Sequence, residues 1–264
     1  MILRTLMMAA AAAVGLAAAA PATAADVKLY ALDCGTFAVP DADMFADDGA
    51  YKGRKVEMVV PCYLVRHPKG DLVWDTGVPE SQEKLLGQLK ALGLTPKDVE
   101  YVSVSHSHFD HIGNAGQFTG SAWIVDPDEK AYAFRPQART NAAQFARYSA
   151  LENAKTIEVA GEGPHDVFGD GSVQVIPAPG HTPGHTVLLV RLPKAGPVLL
   201  TGDLWHVAES RAAKRVPRFN VDRALTLKSY DKVEALAAKE KARVVRQHVP
   251  EDFTSLPKFP EPLT

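Results

Sequence analysis

The sequence predicts an α/β domain whose chemistry lies at the ends of its strands. Short apolar segments rich in β-branched residues alternate along the chain with segments of helical spacing. The 264 residues suit one such domain or two small ones, and 46% hydrophobic residues are ample material for a core. Several of the apolar segments end directly before a histidine or an aspartate, which is typical of folds that assemble one site from distant parts of the chain.

The first 25 residues have a different composition and are predicted to be a secretory signal peptide. A basic start precedes an almost unbroken apolar run over residues 6–20, and small residues follow it. This layout predicts cleavage near Ala24 or Ala25. The alternative is a retained membrane anchor, but the run is short for a bilayer span and rich in alanine. We therefore expect residues 26–264 to form the mature domain, exported to a periplasm or secreted.

The first half of the mature chain contains four predicted strands and one helix. Leucines recur with helical spacing before Gly93, and a Pro-Lys-Gly sequence marks a hairpin turn between two strands. The predicted elements are strand 27–32, an Asp-rich loop 40–53, strands 56–66 and 72–74 around the turn 67–70, helix 81–92 and strand 99–104.

The second half continues the same alternation and ends with the clearest amphipathic helix. Apolar side chains recur along one face of residues 222–239. The predicted elements are strand 122–125, a helical excursion 127–151, strands 173–176, 187–192 and 198–200, helix 222–239 and strand 244–246.

Four residues that are good metal ligands follow strand 99–104 within six positions, namely His106, His108, Asp110 and His111. Side chains two apart in extended backbone point the same way, so the first two can bind one ion together. The other two follow a turn and would face a neighbouring point. The spacing predicts two adjacent sites, with imidazole and carboxylate ligands that suit zinc and similar ions. A chance histidine-rich loop is the alternative, and it does not account for this density of ligands directly after a strand.

Three more candidates stand just past predicted strand ends, far apart in the chain: His181, Asp203 and His248. Together with the histidine stretch, their motifs resemble those of the metallo-β-lactamase superfamily. The motifs are H-x-H-x-D-H from His106, G-H-T-P-G-H around His181, T-G-D ending at Asp203, and the late His248. The resemblance covers nearly the whole mature chain, 26–264, and implies an α+β fold, the four-layer αββα sandwich with its site on one edge.

The resemblance also implies a ligand set for two divalent metal ions, for which zinc is the expected element. His106, His108 and His181 would hold the first ion, Asp110, His111 and His248 the second, and Asp203 would bridge them. Two ions so placed can share a hydroxide that attacks a carbonyl or phosphoryl centre. Asp110 would also act catalytically, by accepting a proton or passing one to the leaving group.

Two branches of the superfamily match best. Segments 60–64, 73–77, 219–223 and 247–253 resemble N-acyl-homoserine lactonases, whereas residues 202–208 also resemble methyl parathion hydrolase. His206 stands where many lactonases of this type carry a tyrosine that contacts the substrate carbonyl. We expect it either to face the substrate, where an imidazole could donate the same hydrogen bond, or to lie at the surface. The prediction is a dinuclear hydrolase that opens N-acyl-homoserine lactones, and the alternative is an organophosphate triesterase or aryl esterase.

Several single residues are left with open assignments. Cys34 and Cys62 form either one disulfide or two buried thiols. Asp75 is expected either to orient a ligand histidine or to cap a strand end, and His185 is expected to anchor its loop. The remaining expectations are surface positions for His67 and His165, and either a substrate pocket or the core for Met44, Phe45, Phe109 and Phe134.

The charge pattern limits the classes of partner. The formal net charge is −2 and no block of basic residues occurs, so neither nucleic acid nor a membrane surface is an expected partner. A small-molecule lactone or ester is the expected substrate, and a homodimer through residues 127–151 is an open alternative to a monomer. A protein of another class, an exported metal-binding module without turnover, would use the same ligands.

Overall fold

A computed structural model describes residues 26–159 and 161–264. The predicted signal peptide lies outside these residues, so its assignment stays a prediction. Within the described ranges, no helix has the length and the apolar character that a membrane span requires.

Two mixed β-sheets form the centre of the domain. The strands are β1 (Lys28–Val39), β2 (Val56–His67), β3 (Gly70–Trp74), β4 (Tyr101–Ser103), β5 (Ala122–Val125), β6 (Thr156–Glu158), β7 (His165–Asp166), β8 (Val173–Pro177), β9 (Thr186–Leu192), β10 (Gly196–Leu200) and β11 (Arg243–Val245). In the first sheet the strands follow chain order, with β1 to β3 antiparallel and β3 to β6 parallel. In the second sheet the order is β11-β10-β9-β8-β7.

The helices cover the outer faces of the sheets and the loops around the site. Short 3₁₀ turns link several of them, including Ala42–Phe45 and Gly202–Leu204. The α-helices are α1 (Gln82–Ala91), α2 (Phe109–Ile112), α3 (Pro127–Ala133), α4 (Ala142–Phe145), α5 (Ser210–Ala213), α6 (Arg223–Glu240) and α7 (Pro250–Thr254).

Three apolar cores separate four layers and confirm the predicted αββα sandwich. The central core lies between the sheets, where Trp74 of β3 and Leu188 of β9 are fully buried. Leu85 and Leu89 of α1 pack on the outer face of the first sheet, and Tyr230 of α6 packs on the outer face of the second. The apolar faces inferred from sequence spacing are therefore the faces that the layers bury.

The structure departs from the sequence prediction in the length of β1, in two short strands and in the 127–151 excursion. The strand predicted at 27–32 extends to Val39, through a change of register between Asp33 and Thr36. Two short strands, β6 and β7, were not predicted. The excursion at 127–151 is helical but consists of α3, α4 and 3₁₀ turns, because prolines and an asparagine restart the chain repeatedly.

Cys34 and Cys62 form a disulfide between β1 and β2. The sequence alone left open whether these cysteines form a disulfide or remain two buried thiols. Leu32 pairs with Cys62 across these strands, and the irregularity after Asp33 carries Cys34 past the ideal register. The disulfide thus joins the two strands at the point where their regular pairing is interrupted.

Candidate metal centre

Loops from both sheets meet at one edge of the sandwich. In the first sheet, β4 ends two residues before Ser105, and the chain then turns into α2 with the histidine stretch. In the second sheet, the loops after β8, β10 and β11 carry one ligand candidate each. All seven predicted ligands are brought together, as one group of His106, His108, His181 and Asp203 and a second group of Asp110, His111 and His248.

In the first group, three ring nitrogens face one another. His106 Nε2 lies 2.8 Å from His108 Nδ1 and 3.2 Å from His181 Nε2, and the last two are 3.1 Å apart. Nitrogens that share one zinc ion at about 2.0–2.1 Å are separated by similar distances, roughly 3.4 Å for a regular tetrahedron. The triangle is therefore close to the face of a coordination polyhedron.

Asp203 lies between the two groups, with one carboxylate oxygen toward each. Its Oδ2 is 3.6 Å from His106 Nε2 and 3.4 Å from His181 Nε2. Its Oδ1 is 3.1 Å from His111 Nε2 and 2.9 Å from His248 Nε2. The carboxylate is thus in position to serve both groups, as the bridging prediction requires.

In three of the histidines, one ring nitrogen points away from the ligand cluster (the outer nitrogen) and the other points into it (the inner nitrogen). The partner of the outer nitrogen determines which of the two carries the proton. His111 Nδ1 is 2.9 Å from Asp75 Oδ2, His181 Nδ1 is 2.7 Å from Asn220 Oδ1, and His248 Nδ1 is 2.9 Å from the carbonyl oxygen of Val59. Each of these partners is an acceptor, so the outer nitrogen carries the proton and the inner Nε2 presents a lone pair.

Two buried atoms at the centre of this cluster lack an aligned hydrogen-bond partner. His111 Nε2 and Asp203 Oδ1 are buried without an aligned hydrogen bond. Inward lone pairs and unpartnered carboxylate oxygens are costly in a protein interior unless a cation satisfies them. The residues present therefore fit a pair of divalent metal ions.

The ligand histidines differ in protonation. At His111 and His248 burial opposes the charged form, but the neighbouring carboxylates, Asp203 foremost, outweigh it and raise the pKa of both. Burial, and next the charges of His111 and His108, hold the pKa of His106 well below its ordinary value. Burial alone would raise the pKa of Asp203, but the surrounding histidines outweigh it and hold the pKa well below the usual range. The centre thus combines a neutral imidazole with an ionised carboxylate, the forms that bind metal ions.

Two residues outside the ligand set hold the loops of ligand candidates: Asp75, whose role the sequence left open, and His185, which was expected to anchor its loop. Asp75 accepts hydrogen bonds from the backbone N–H of Ser105 at 2.6 Å and from His111 at 2.9 Å. His185 Nδ1 donates to the carbonyl oxygen of Ala178 at 3.1 Å, and its Nε2 accepts from the N–H of Asp203 at 3.0 Å. Asp75 thus orients a ligand candidate, and His185 anchors the loop that carries another.

Glu129 of α3 is a residue that the sequence analysis missed. Its carboxylate is almost fully buried, at 1% exposure, and connects the two loops that carry the first ligand group. Oε1 accepts from the N–H and the hydroxyl of Ser107, at 2.7 and 2.6 Å. Oε2 accepts from the hydroxyl of Thr182 at 2.5 Å and from the N–H of Gly184 at 3.2 Å. Nothing in the local sequence distinguishes Glu129 from a solvated acid in the first turn of a helix.

An apolar cavity of 260 Å³ opens onto the ligand cluster. Its floor is polar, and its walls are almost entirely hydrophobic. The wall residues are Phe37, Val39, Met44, Phe45, Met58, Phe109 and Phe219. A larger cavity of 520 Å³ lies between α1 and the segment after α7, and no ligand candidate lines it. The smaller cavity is therefore the candidate substrate site.

His206 lies at the floor of this cavity and is 3% exposed. Its Nε2 is 2.9 Å from Asp203 Oδ2, but neither ring nitrogen makes an aligned hydrogen bond. Burial, partly offset by Asp203, lowers the pKa of His206 to about 4. The ring is therefore neutral at pH 7 and retains one N–H donor near the floor of the cavity.

One of the single-residue expectations needs correction. His67 was expected at the surface, but it is 8% exposed, stacks on Phe168 and contacts Asp170 at 2.9 Å. The reason is that β7 and the turn after it fold over the β2–β3 hairpin, which local sequence does not indicate. Phe134, which the sequence left open between the substrate pocket and the core, packs on the core against Trp123, Phe145 and Tyr148. His165 is half-buried in β7.

Fold and site together define a metal-dependent hydrolase, and comparison with known proteins gives its family. The sequence model of the metallo-beta-lactamase superfamily matches residues 56–248, so the chain belongs to that superfamily. The N-acyl homoserine lactonase AttM of Rhizobium radiobacter is 33% identical over 260 residues, which cover 89% of this chain and 98% of the relative.

Solved structures of similar proteins share this fold. A quorum-quenching N-acyl homoserine lactone lactonase aligns with a TM-score of 0.76 and 30% identity, over 89% of this chain and 98% of its own. An N-acyl homoserine lactone hydrolase, solved with the product N-hexanoyl-L-homoserine at its catalytic metal center, aligns with a TM-score of 0.75 and 28% identity over the same shares.

Proposed function

We propose that the protein hydrolyses the lactone ring of N-acyl homoserine lactones at a dinuclear zinc centre. The observation that carries the proposal is the pair of facing ligand groups around Asp203, set at the floor of an apolar cavity. The lactonase activity of the similar proteins supports the same conclusion.

The first ion would be held by three histidines and the second by one aspartate and two histidines, with Asp203 shared. His106, His108 and His181 form the first set, and Asp110, His111 and His248 form the second. A bound pair of divalent ions supplies a water of lowered pKa and polarises the carbonyl oxygen of the substrate. Imidazole and carboxylate donors at these separations suit zinc.

The protein's own residues would bind the ester and handle protons. The N–H of the neutral His206 would donate a hydrogen bond to the lactone carbonyl oxygen, replacing a tyrosine hydroxyl found at this position in related enzymes. Asp110 is buried between His111 and His248, at 3.7 and 3.5 Å, and its burial raises the pKa of its carboxyl. A carboxylate with a raised pKa can accept a proton and pass it to the departing alkoxide oxygen.

The shape of the cavity favours an amphiphilic substrate. Its hydrophobic walls exclude water, and polar atoms capable of binding a carbonyl occur only at its floor. An acyl homoserine lactone has the matching distribution, with a polar ring at one end and a hydrocarbon chain at the other. The solved relative with N-hexanoyl-L-homoserine at its metal center supports this orientation.

We also propose that the mature protein works outside the cytoplasm. The signal-like sequence of the first 25 residues motivates this location. The Cys34–Cys62 disulfide supports it, because disulfides persist in oxidising compartments. Mass measurement of the protein recovered from a periplasmic extract tests the proposal: a chain beginning near Asp26 is expected, and a chain that retains its first residues inside the cell would contradict it.

A substrate panel tests the proposed activity. Zinc-loaded mature protein would be assayed on short- and long-chain N-acyl homoserine lactones, an aryl ester and a phosphotriester, with a chelator-treated sample as the control. We expect chelator-sensitive lactone opening at a kcat/KM of roughly 10⁴ M⁻¹s⁻¹ or more. If the phosphotriester is hydrolysed faster than the lactones, the phosphotriester is the preferred substrate. If no compound is hydrolysed, the protein is better explained as a metal-binding module without turnover.

The ligand assignment is tested by Asp203→Ala. Because this carboxylate faces both groups, its removal should abolish turnover and leave fewer than two ions bound per chain, as measured by atomic absorption. Asp231→Ala is a suitable control, since Asp231 lies on α6 in an exposed ion pair with Lys214. Retention of two ions and full activity in Asp203→Ala would refute the centre.

A further inference from the structure

Two segments of the chain meet to form one wall of the apolar cavity. Segment 40–54 contributes Met44 and Phe45, and segment 205–223 contributes His206 and Phe219. The two segments come from different ends of the domain and are joined mainly by side chains. The hydrogen bonds and ion pairs between the two segments therefore determine the position of this cavity wall relative to the metal centre.

Arg218 binds the residues on both sides of Phe45. Its backbone N–H donates to the carbonyl oxygen of Met44 at 2.9 Å, and its Nε donates to the carbonyl oxygen of Ala46 at 3.1 Å. Its Nη2 is 2.9 Å from the carboxylate of Asp43. One arginine thus binds three residues of the turn that carries Phe45, namely Asp43, Met44 and Ala46.

Phe45 in turn is the main packing partner of His206. Its ring is 4% exposed and stacks on the imidazole, with 4.8 Å between centroids and 21° between planes. Phe219 contacts both rings edge-on, at 5.9 Å from Phe45 and 5.5 Å from His206. Neither nitrogen of His206 makes an aligned hydrogen bond, although Nε2 lies 2.9 Å from Asp203 Oδ2, so packing against Phe45 contributes to the orientation of this ring.

We propose that Arg218 is a positioning residue for catalysis, which acts through Phe45 to hold the imidazole of His206 in its productive orientation. The proposal rests on the proposed function, in which His206 binds the lactone carbonyl. It adds a residue that touches neither the metal ligands nor the cavity floor, and that lies at the surface with a half-exposed side chain.

Three other arginines form ion pairs between the same two segments, but their contacts differ from those of Arg218. Arg215 contacts Asp48, Arg223 contacts Asp47 and Arg54 contacts Glu209, and each pair has at least one exposed side chain. Exposed pairs of this kind contribute little. Arg218 differs because it also binds two backbone carbonyls, and the planar fork of a guanidinium can serve a carbonyl and a carboxylate together.

The first test compares Arg218→Gln with Arg139→Gln. Arg139 is a matched control, because it pairs with Glu152 at a similarly exposed site in the 127–151 excursion. We expect Arg218→Gln to lower kcat about tenfold on both short- and long-chain lactones with KM changed less than about threefold, and Arg139→Gln to leave both unchanged. An unchanged kcat in Arg218→Gln would overturn the proposal.

Asp43→Asn replaces this test if Arg218→Gln does not fold, because it keeps both hydrogen bonds from Arg218 to the backbone carbonyls of Met44 and Ala46. We expect a smaller loss of kcat in Asp43→Asn than in Arg218→Gln. An unchanged kcat in Asp43→Asn would contradict the proposal.

A double-mutant cycle separates positioning from a general structural role. If Arg218 acts through Phe45, then Arg218→Gln should change kcat less than about twofold in a Phe45→Leu background. The same tenfold loss in both backgrounds would show that Arg218 acts by another route. Arg218→Lys should recover only part of the activity, because an ammonium cannot bind Asp43 and the Ala46 carbonyl in the same fork geometry.

A readout without turnover distinguishes failure of this inference from failure of the proposed function. The stacked Phe45 ring should shift the carbon-bound imidazole protons of His206 upfield in the NMR spectrum of the zinc-loaded protein, with His206→Gln providing the assignment. Arg218→Gln and Phe45→Leu should both remove this shift, whereas Arg139→Gln should keep it. A shift that survives in Arg218→Gln would refute the positioning, whatever the substrate proves to be.

Discussion

At the scale of single residues, Glu129 explains how two loops from different sheets keep a common geometry. One carboxylate accepts from Ser107 in the first ligand loop and from Thr182 and Gly184 in the second. The loops contribute His106, His108 and His181 to one group. The separation of these histidines is therefore fixed before any ion binds.

Glu129→Gln should destabilise both the fold and the metal centre. An amide offers one acceptor oxygen, and its NH₂ group faces donors that it cannot satisfy, so buried N–H and hydroxyl groups lose their partner. We expect a loss of roughly 2–3 kcal/mol in unfolding free energy and roughly 10–100-fold weaker zinc binding. Denaturant titration and zinc competition measure the two effects. The exposed Glu83→Gln is the control, and equal behaviour of the two variants would contradict this role.

His185 gives a prediction for the pH dependence of stability. Burial, with a further contribution from His181, lowers the pKa of His185 from 6.5 to about 3. The unfolded chain therefore binds a proton at this residue below pH 6.5 while the folded chain does not. The stabilisation is complete above pH 6.5 and is lost as the pH falls toward 3, by about 2 kcal/mol at pH 5.

The measurement compares wild-type and His185→Gln in metal-free form by denaturant unfolding between pH 7.5 and pH 5. The wild type should be more stable at pH 7.5, and the difference should shrink by about 2 kcal/mol at pH 5 because only the wild type loses this contribution. A difference that stays constant over the range would show that His185 is not held neutral by the fold.

The residues found by sequence reasoning and those it missed differ in a physical respect. The seven ligand candidates are unusual residue types grouped just past strand ends, so their convergence could be predicted. Glu129 and Arg218 have the composition of ordinary surface residues. Their significance comes only from tertiary contacts, with Ser107 and Thr182 in one case and with the turn around Phe45 in the other.

At the scale of elements, the disulfide holds β1 to β2 beside the irregular pairing between Asp33 and Thr36. It closes a loop with a sequence separation of 28 residues. In the chain-entropy account, a crosslink of this span stabilises the folded state by about 3–4 kcal/mol.

Replacement of both cysteines by serine, Cys34→Ser with Cys62→Ser, should lower the melting temperature accordingly. Scanning calorimetry of the two proteins, with and without reductant, measures the effect. Reductant should lower the melting temperature of the wild type and leave that of the double variant unchanged. Equal melting temperatures for the oxidised wild type and the double variant would contradict a stabilising crosslink.

Most of the predicted strands and helices are present, including the short β5, whereas the short strands β6 and β7 were not predicted. Helix α6 and the β2–β3 hairpin agree with the sequence prediction to within one or two residues. Strands β6 and β7 have three and two residues, too few for a period to be recognised. They exist because β5 and β8 offer them backbone partners, which is a tertiary effect.

At the scale of the whole molecule, the ligand loops join the two sheets. One sheet supplies the stretch from His106 to His111, and the other supplies His181, Asp203 and His248. Ions bound between them should therefore stabilise the sandwich as well as the site. Export and the oligomeric state are not tested by these contacts and stay predictions.

Metal removal should lower the melting temperature of the entire domain in a single transition. Re-addition of zinc should restore it, with each site contributing about 4 kcal/mol at a thousandfold excess over its dissociation constant. Melting curves over a zinc titration, with magnesium as the comparison ion, measure this linkage. A melting temperature independent of chelator would show that the ligand groups do not bind metal in the folded protein.

The most direct test of the central claim is to identify the product formed from one long-chain N-acyl homoserine lactone. Zinc-loaded protein should add one water and give an open N-acyl homoserine, detected by mass spectrometry and converted back to the lactone by acid. Chelated protein and Asp203→Ala should leave the substrate intact. Release of a free fatty acid and homoserine lactone would mean cleavage of the amide instead, and an unchanged substrate with zinc bound would contradict the proposed function.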